Sequence, residues 1–375
     1  MTSVRSVLVV GGGTAGCALA TLLGRAGVAV EIVECKPDFT AYGSGITLQG
    51  AALRVLRDVG VWEELRRYGF EFNSLGLRAA DGRLLAEIPD TRTGGPDLPA
   101  TLGAYRPKLA EVLAAAAAGA GAKVRCGATV ESFTQDADGV DVVFSGGDTG
   151  RYDLLVGADG VRSQIRRQLG IDVVPQPAGM GIWRVHARRP AEVERTDLVY
   201  DGPCYIAGYC PTGPDTLYAY LVEKAQNRSA DTPEQKVGAM RALAAAYHGP
   251  WDAIRDDITD AERINYTWFE RLMVDGPWNR GRAVLIGDAA HACPPTLALG
   301  AAMALEDTSV LAEMLLARDR LDQGLFDAFV ARRLPRVKAV VDGSMQLVAW
   351  LLEHDPDADV PGLMRRINAM VSDPA

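Results

Sequence analysis

Hydrophobic positions near the N-terminus follow the pattern of a buried strand, a helix and a second buried strand. The run SVLVV at residues 6–10 is continuously apolar, as in a strand covered on both faces of a parallel sheet. Glycines follow, and CALATLLGRAG at 17–27 places apolar residues at helical spacing until it stops at Gly27. The next apolar run is VAVEIVE at 28–34. The pattern predicts a complete βαβ unit.

Further along the chain, alternating patterns interrupt the helical ones. Residues 74–88, SLGLRAADGRLLAEI, predict a hairpin that turns at Asp81-Gly82. Aromatic-bearing alternating runs fill 176–270 and predict an antiparallel sheet, interrupted by one helix at 232–249. YDLLVGADG at 152–160 and RAVLIGDAA at 282–290 are again short buried strands that end in turns.

The predicted fold class is α/β, with a Rossmann-like domain assembled from separate segments. Segments 1–71, 98–175 and 271–330 form the nucleotide-binding domain. Segments 72–97 and 176–270 form an inserted antiparallel β-sheet domain, and 331–375 forms a C-terminal helical region. The helical pattern at the C-terminus is amphipathic in places and is compatible with packing inside a monomer or across a homodimer.

Composition limits the classes of molecule that the protein can bind, but it does not limit the fold. The net charge is −9 and the pI is near 5.1, which disfavours nucleic acid and anionic membranes as partners. No apolar run approaches the length of a membrane span, and SVLVV is too short for a signal peptide. The six cysteines lack metal-ligand spacing. We expect a cytoplasmic protein with free thiols and no metal site.

The glycine loop after the first strand carries the spacing G-x-G-x-x-G at Gly11, Gly13 and Gly16, and a helix begins in its second half, around Thr14 and Ala15. Such a loop lets a pyrophosphate approach the backbone at a helix N-terminus. Glu34 ends the second strand, where a carboxylate accepts the ribose hydroxyls of an adenosine. A purely structural glycine turn is the alternative, but the pairing with Glu34 favours a dinucleotide.

Two later motifs place aspartates after buried strands. Asp159 begins the turn in DLLVGADGVRSQIR, and Asp288 follows the strand in AVLIGDAAH. Open α/β sheets bind ligands at the carboxyl ends of their strands, where Asp288 could accept hydrogen bonds from a polyol. The structural alternatives are an Asp-Gly turn with solvated arginines for Asp159 and a helix N-cap for Asp288.

Taken together, GGGTAG with Glu34, DLLVGADGVRS and GDAAHACPP resemble the class A flavoprotein aromatic hydroxylases, the para-hydroxybenzoate hydroxylase-like family. The resemblance runs from Gly11 to the FVARRLPRV segment and implies FAD as the cofactor. It assigns the first motif to the ADP portion, Asp288 to the ribityl chain, and the Asp159 motif to both FAD and the nicotinamide cofactor. The full set of FAD-binding residues it implies is Gly11, Gly13, Thr14, Ala15, Gly16, Glu34, Cys35, Lys36, Gly45, Arg106, Val130, Asp159, Asp288, Gly300, Ala301 and Ala302.

The chain departs from the family at two places. Many relatives carry GQGxN after the prolines, whereas this chain has ALGAA, with Leu299 and Ala302 at the polar positions. Backbone amides at a helix N-terminus can still bind a flavin carbonyl there. The usual Arg after Glu34 is replaced by Cys35, followed by Lys36.

The resemblance implies that NADH or NADPH reduces the flavin, that O₂ then forms a C4a-hydroperoxide, and that a small aromatic or heteroaromatic substrate is hydroxylated. Such a site must exclude water. An FAD-dependent reductase of an isoprenoid-like alkene and a non-catalytic flavin-binding module remain alternatives. A flavin halogenase is disfavoured because the chain lacks W-x-W-x-I-P.

The candidate substrate residues lie on the aromatic-bearing strands and at the prolines. Tyr205 and Tyr209 are predicted to share one strand face, as are Tyr218 with Tyr220 and Arg184 with His186. No residue is assigned as the catalytic base; His186, Tyr205 and Tyr220 are weak candidates. For each tyrosine and for the histidine, ordinary packing is the alternative. The substrate candidates are Arg184, Tyr205, Tyr209, Tyr220, Pro294 and Pro295.

Overall fold

The computed structural model describes residues 2–39 and 43–375. Its central sheet has six strands in the order β18-β19-β12-β1-β2-β8, and every neighbouring pair except β18–β19 is parallel. The continuous apolar runs of the sequence form its middle, as predicted. The strands are β1 Ser6–Val10, β2 Ala29–Glu34, β8 Lys123–Cys126, β12 Leu154–Gly157, β18 Asn279–Arg280 and β19 Ala283–Leu285.

Helices cover this sheet, and the N-terminal helix packs against two that are distant in sequence. Helix α1 contacts α4 and α8, so segments from the start, middle and end of the chain share one core. The helices are α1 Thr14–Arg25, α2 Gly50–Asp58, α3 Trp62–Leu65, α4 Arg106–Gly119, α5 Gln164–Gln168, α6 Pro233–Ala244, α7 Pro250–Asp257, α8 Gly300–Ala317, α9 Gln323–Glu353 and α10 Val360–Ser372.

A second, eight-stranded sheet has the order β20-β17-β13-β16-β15-β14-β5-β6. Its strands are β5 Ser74–Ala79, β6 Leu84–Pro89, β13 Gln176–Arg188, β14 Thr196–Tyr200, β15 Ile206–Pro211, β16 Thr216–Lys224, β17 Ile264–Met273 and β20 His291–Ala292. The predicted hairpin is confirmed, since β5 and β6 pair antiparallel around the turn at Asp81 and Gly82. Two three-stranded sheets complete the fold, with strands β3 Ile46–Gln49, β4 Phe70–Phe72, β7 Thr101–Ala104, β9 Val130–Gln135, β10 Val140–Phe144 and β11 Thr149–Tyr152.

The two faces of the eight-stranded sheet bury different sets of side chains. On β13, Trp183 and Val185 join a core with residues of α6 and α7. The alternate residue Ile182 belongs to a separate cluster that includes Val348 of α9. Because side chains alternate along a strand, Arg184 shares the face of Ile182. We call this face of the sheet the cleft face.

The structure corrects two predictions about elements. The insertion at 176–270 contains two helices rather than one, since Gly249 has a positive φ and Pro250 begins α7. The predicted boundary between 330 and 331 falls inside α9, which continues through Pro335. Within the ranges that the structure describes, no helix is both long and apolar enough to cross a membrane.

Candidate active site

The glycine loop is packed closely on two sides and open on the third. A Cβ atom at Gly11 would lie 2.4 Å from the Ala158 carbonyl oxygen, and one at Gly16 would lie 1.9 Å from the Gly11 carbonyl oxygen. A Cβ atom at Gly13 would meet nothing within 4 Å. Gly13 is the N-cap of α1 and has no side-chain cap, so the first-turn amides of α1 face this open space. The arrangement suits a pyrophosphate at the helix N-terminus.

Glu34 closes the side of the loop where an adenosine ribose would lie. Its Oε2 accepts a hydrogen bond from the Gly12 amide at 2.8 Å, and its Oε1 accepts one from the Lys36 amide at 3.0 Å. These bonds hold the half-buried carboxylate in place. Oε1 also accepts from the Cys35 thiol at 3.3 Å, whereas Oε2 keeps a further lone pair. Cys35 is an exposed residue. Partial desolvation of its thiol is the main cause that raises its pKa, and the neighbouring Glu34 carboxylate raises it further.

The Asp288 turn meets the glycine loop although the two are far apart in sequence. Residues Gly287–Ala289 form a short 3₁₀ turn after β19, and a Cβ atom at Gly287 would lie 3.5 Å from Cβ of Ala15 and 3.1 Å from Cβ of Ala304. The turn therefore lies between the N-terminal parts of α1 and α8. The side chain of Asp288 is reachable by solvent, yet the protein around it raises its pKa by desolvation. A carboxylate with both properties lies within a cleft.

Arg106 begins α4 and faces the same cleft. Its exposed side chain forms no ion pair or hydrogen bond with any other residue that the structure describes. A Cβ atom at Gly43 would lie 3.1 Å from its Cδ atom. Burial raises the pKa of Asp288 and lowers the pKa of Arg184. The charge of Arg106 is close enough to add a smaller, lowering effect on the pKa of each. Arg106 thus lies between the Asp288 turn and the cleft face.

The N-terminus of α8 forms a further wall next to the prolines. Leu299 is its N-cap without a side-chain cap bond, so the amides of Gly300, Ala301 and Ala302 have no partners within the helix. Pro294 is buried, and the exposed Pro295 begins a short 3₁₀ turn that leads to this helix. Backbone donors are therefore present where the usual polar side chains are missing, and they suit a flavin carbonyl.

These elements together fit FAD. The open cradle at Gly13 takes a pyrophosphate, Glu34 and Asp288 can accept hydrogen bonds from hydroxyl groups at its two ends, and the α8 amides can donate to a ring. Gly45 lies further along the cleft, where a Cβ atom would come 2.2 Å from the Tyr218 ring.

Asp159 is engaged differently from the prediction. Its carboxylate accepts hydrogen bonds from Ser163 Oγ at 2.5 Å and from the amides of Gln164 and Ile165 at 2.7 and 3.0 Å. These bonds cap α5, so the structure favours the structural interpretation over direct cofactor contact for this carboxylate. The side chain of Val130 is also buried in the core, which leaves only its backbone for the predicted FAD contact.

Arg166, in the same motif, links the two aspartate turns. This buried guanidinium donates to the carbonyl oxygens of Val161, Val173 and Ala289, each at 2.9 Å. Ala289 directly follows Asp288, so the helix after Asp159 is joined to the turn of Asp288. The structural alternative for this motif expected its arginines to be solvated, whereas Arg166 is buried.

Arg184 and two tyrosines form the polar part of the cleft face. Arg184 pairs across the sheet with Tyr220, and His186 with Tyr218. Arg184 donates from Nη1 to Thr267 Oγ1 at 2.9 Å, and burial lowers its pKa to about 10. The Tyr218 hydroxyl is 2.8 Å from Thr47 Oγ1, and the Tyr218 and Tyr220 rings lie 5.4 Å apart. Burial raises the pKa of both tyrosines.

The structure separates the other candidates on this sheet. Tyr209 is fully buried on the opposite face, where its hydroxyl donates to Asp197 at 2.8 Å, so its prediction as a substrate residue is wrong. Tyr205 lies before β15 and packs with Ile206, so it does not share a face with Tyr209. Its ring centroid is 5.9 Å from that of His354. The different environments arise because the chain enters β15 through an irregular segment rather than a regular strand.

His186 stacks on Tyr105 with 4.2 Å between ring centroids. Its Nε2 is buried without a hydrogen-bond partner among the described residues, and burial lowers its pKa. Its role as a base stays a prediction.

Sequence reasoning missed Asp307 and Thr47. Asp307 is buried behind the Asp288 turn and accepts a hydrogen bond from the Gly287 amide at 2.9 Å. Its only sequence signal is an acidic pair, Glu306-Asp307, inside an otherwise apolar helix. Thr47 carries no motif at all.

Comparison with known proteins shows what the chain as a whole is similar to. Residues 5–344 match the family model described as "FAD binding domain". The chain is 28% identical to the putative FAD-dependent monooxygenase YetM of Bacillus subtilis, over 95% of this chain and 96% of that protein. It is 32% identical to the 2-heptyl-3-hydroxy-4(1H)-quinolone synthase of Pseudomonas aeruginosa, over 82% and 80% of the two chains. The fold resembles 2-methyl-3-hydroxypyridine-5-carboxylic acid oxygenase with a TM-score of 0.81, at 22% identity and covering 97% and 96% of the two chains.

Proposed function

Because this chain belongs to the FAD-dependent aromatic monooxygenases of the para-hydroxybenzoate hydroxylase-like class, we propose that it hydroxylates a small aromatic or heteroaromatic ring bearing an anionic oxygen substituent, a phenolate or a carboxylate. FAD is the cofactor, and NADH or NADPH supplies the electrons. When bound, FAD supplies the redox chemistry that activates O₂. The chain itself supplies binding, orientation and shielding from water.

The observation that carries this proposal is the position of Arg184. Its guanidinium lies on the cleft face, where the only hydrogen bond the structure describes for it goes to a neutral hydroxyl, Thr267 Oγ1. No carboxylate among the described residues pairs with it. A half-buried guanidinium without a described acidic partner is a favourable site for a ligand that provides the counter-charge. An anionic substituent on the substrate would satisfy it.

The neighbouring tyrosines favour an aromatic ring beside that anion. Tyr220 lies directly across from Arg184, and a Cβ atom at Gly208 would come 2.7 Å from its hydroxyl oxygen, so the ring extends across the next strand. The Tyr218 hydroxyl shares a hydrogen bond with Thr47. These hydroxyls can orient a substrate oxygen and exchange its proton, and the planar rings offer surfaces for stacking.

Helix α9 supports the exclusion of water from the far end of the cleft. Its residues Met345 and Leu352 pack in one cluster with Ile206 and Tyr220 of the sheet. An apolar wall beside the reacting ring limits the loss of activated oxygen to solvent.

We propose that FAD lies along the cleft with its ADP portion at the glycine loop and Glu34, its ribityl chain at Asp288, and its ring between the α8 N-terminus and Arg106. The names of two similar proteins agree with a small aromatic or heteroaromatic ring: one is a synthase of a hydroxyquinolone and the other is an oxygenase of a hydroxypyridine carboxylic acid. Neither similarity assigns the individual compound to this chain.

The test is consumption of O₂ and NAD(P)H by the FAD-loaded protein with hydroxypyridines, hydroxyquinolines and hydroxybenzoates, each paired with its neutral methyl ether or ester. We expect stimulated consumption and a product with one added oxygen atom for an anionic compound, and a much higher KM for its neutral partner. Equal KM values within the pair would contradict the role of Arg184. The alkene reductase, which the comparisons do not support, would instead reduce a double bond without consuming O₂. A binding module would take up FAD and show no stimulated turnover.

A further inference from the structure

A buried carboxylate lies directly behind the turn that carries Asp288. Asp307, on α8, is fully buried, and its two oxygens receive three hydrogen bonds. Oδ2 accepts from the Gly287 amide at 2.9 Å and lies 2.7 Å from Nε2 of His291. Oδ1 accepts from Nε of Arg333 at 2.7 Å. One carboxylate thus joins both ends of the 287–291 segment to α9.

The surroundings keep this carboxylate ionised. Burial opposes its ionisation, but His291 and Arg333 outweigh burial and lower the pKa of Asp307. A charged acceptor forms stronger hydrogen bonds than a neutral one, so the Gly287 amide is held firmly. Gly287 has φ of +57°, a conformation that is costly for residues other than glycine, and its turn has no side-chain cap.

The neighbouring acid offers a contrast. Glu306 is equally buried and binds Arg333 at 2.9 Å, Arg336 at 2.9 Å and Arg54 at 3.4 Å. The structure shows no hydrogen bond from Glu306 to any described residue of the 287–291 turn. The two acids therefore share one ion cluster, and Asp307 is the one that contacts the turn.

We infer that Asp307 is a positioning residue for the cofactor: by holding the Gly287 amide and His291 it sets the direction in which Asp288 presents its carboxylate to the ribityl chain of FAD. This inference rests on the proposed placement of the ribityl chain at Asp288. Because Asp288 directly follows Gly287, loss of the anchor at the Gly287 amide would let the following side chain move. Arg166, which donates to the Ala289 carbonyl, fixes the other side of the turn.

The test compares Asp307→Asn with the matched control Glu306→Gln. Both variants neutralise one acid of the same buried cluster, and we expect both to lower the Tm of the FAD-free protein. We expect only Asp307→Asn to weaken FAD binding strongly, by about tenfold to a hundredfold in Kd, as for loss of hydrogen bonds to a charged group. It should also change the visible circular dichroism of the bound flavin, which reports how the ring is held. Kd is measured by flavin fluorescence below the Tm of each variant.

Asp288→Asn distinguishes failure of the inference from failure of the FAD placement. If Asp288→Asn leaves the FAD Kd unchanged, the placement is wrong and the inference fails with it. If Asp288→Asn weakens binding but Asp307→Asn and Glu306→Gln have the same Kd and flavin spectrum, the placement stands and Asp307 serves stability alone.

Hydrogen exchange tests the anchor without relying on a variant that folds. In the FAD-free wild-type protein, the Gly287 amide should exchange slowly, because its bond to Asp307 does not require the cofactor. Rapid exchange of that amide would overturn the inference.

Discussion

Arg184 Nη1 donates to Thr267 Oγ1 at 2.9 Å across strands β13 and β17, and this is the only hydrogen bond that the structure describes for the guanidinium. The remaining donors of the guanidinium have no acidic partner among the described residues. Burial lowers its pKa to about 10, so Arg184 is still charged at neutral pH. A half-buried, charged guanidinium without an acidic partner among the described residues is suited to an anionic ligand.

Replacing Arg184 with Gln should raise the KM for an anionic substrate by about tenfold or more, since the hydrogen bond to a charged partner is lost. The FAD Kd should stay unchanged, because the FAD contacts we propose come from other elements. Steady-state NAD(P)H oxidation and flavin fluorescence measure the two quantities. A KM equal to that of the wild type would refute the proposed contact.

Replacing Glu34 with Gln should weaken FAD binding by about tenfold, because a neutral amide accepts more weakly from the ribose hydroxyls. The amide oxygen can still accept from Gly12, so the glycine loop should keep this bond, whereas the amide nitrogen cannot accept from Lys36. Glu31→Gln is the matched control on the same strand, since Glu31 binds Arg125 and Tyr152 instead. Equal FAD affinities for the two variants would contradict the assignment of Glu34.

Tyr209 and Tyr220 should respond in opposite ways to substitution by Phe. Tyr209→Phe removes a buried hydrogen bond to Asp197 and should cost about 1–3 kcal/mol of unfolding free energy, with an unchanged KM. Tyr220→Phe removes a hydroxyl for which the structure describes no protein partner, so the unfolding free energy should fall by less than in Tyr209→Phe. Its kcat/KM should fall by about three- to tenfold. Denaturant unfolding measures the unfolding free energy of both variants, and steady-state kinetics measure their KM and kcat/KM. A larger loss of stability in Tyr220→Phe together with a larger loss of kcat/KM in Tyr209→Phe would mean that the cleft face is misassigned.

His186 should make the protein less stable in acid. Burial lowers its folded-state pKa below the unfolded value near 6.5, so the unfolded chain binds more protons as the pH falls. Its contribution to stability is therefore present above pH of about 6.5 and is lost as the pH falls through the folded pKa. The loss of Tm between pH 7.5 and 5.5 should be smaller for His186→Gln than for the wild type. The exposed His248 provides the control, and an equal effect of His248→Gln would argue against burial as the cause.

Much of the cofactor site could be predicted from local sequence. Gly11, Gly13 and Gly16 are recognisable because the spacing reflects local requirements: a positive φ at Gly11, an open approach at Gly13 and close packing at Gly16. The position of Glu34 at the end of the second strand can be predicted from the length of that strand. Periodicity likewise predicted the parallel sheet and the hairpin at Asp81-Gly82, since both depend on side-chain alternation and turn chemistry within short segments.

Tertiary structure determined which contacts and hydrogen bonds form between segments that are distant in sequence. The contact of Gly287 with Ala15 depends on the packing of α8 against α1, which no local pattern encodes. The face of the eight-stranded sheet on which the Tyr209 side chain lies depends on how the chain enters β15. The capping role of Asp159 and the anchoring role of Asp307 appear only when their hydrogen-bond partners are brought within reach. The sequence by itself determined which residue types were available for FAD, and packing determined which of them face the cleft and which hold the others in place.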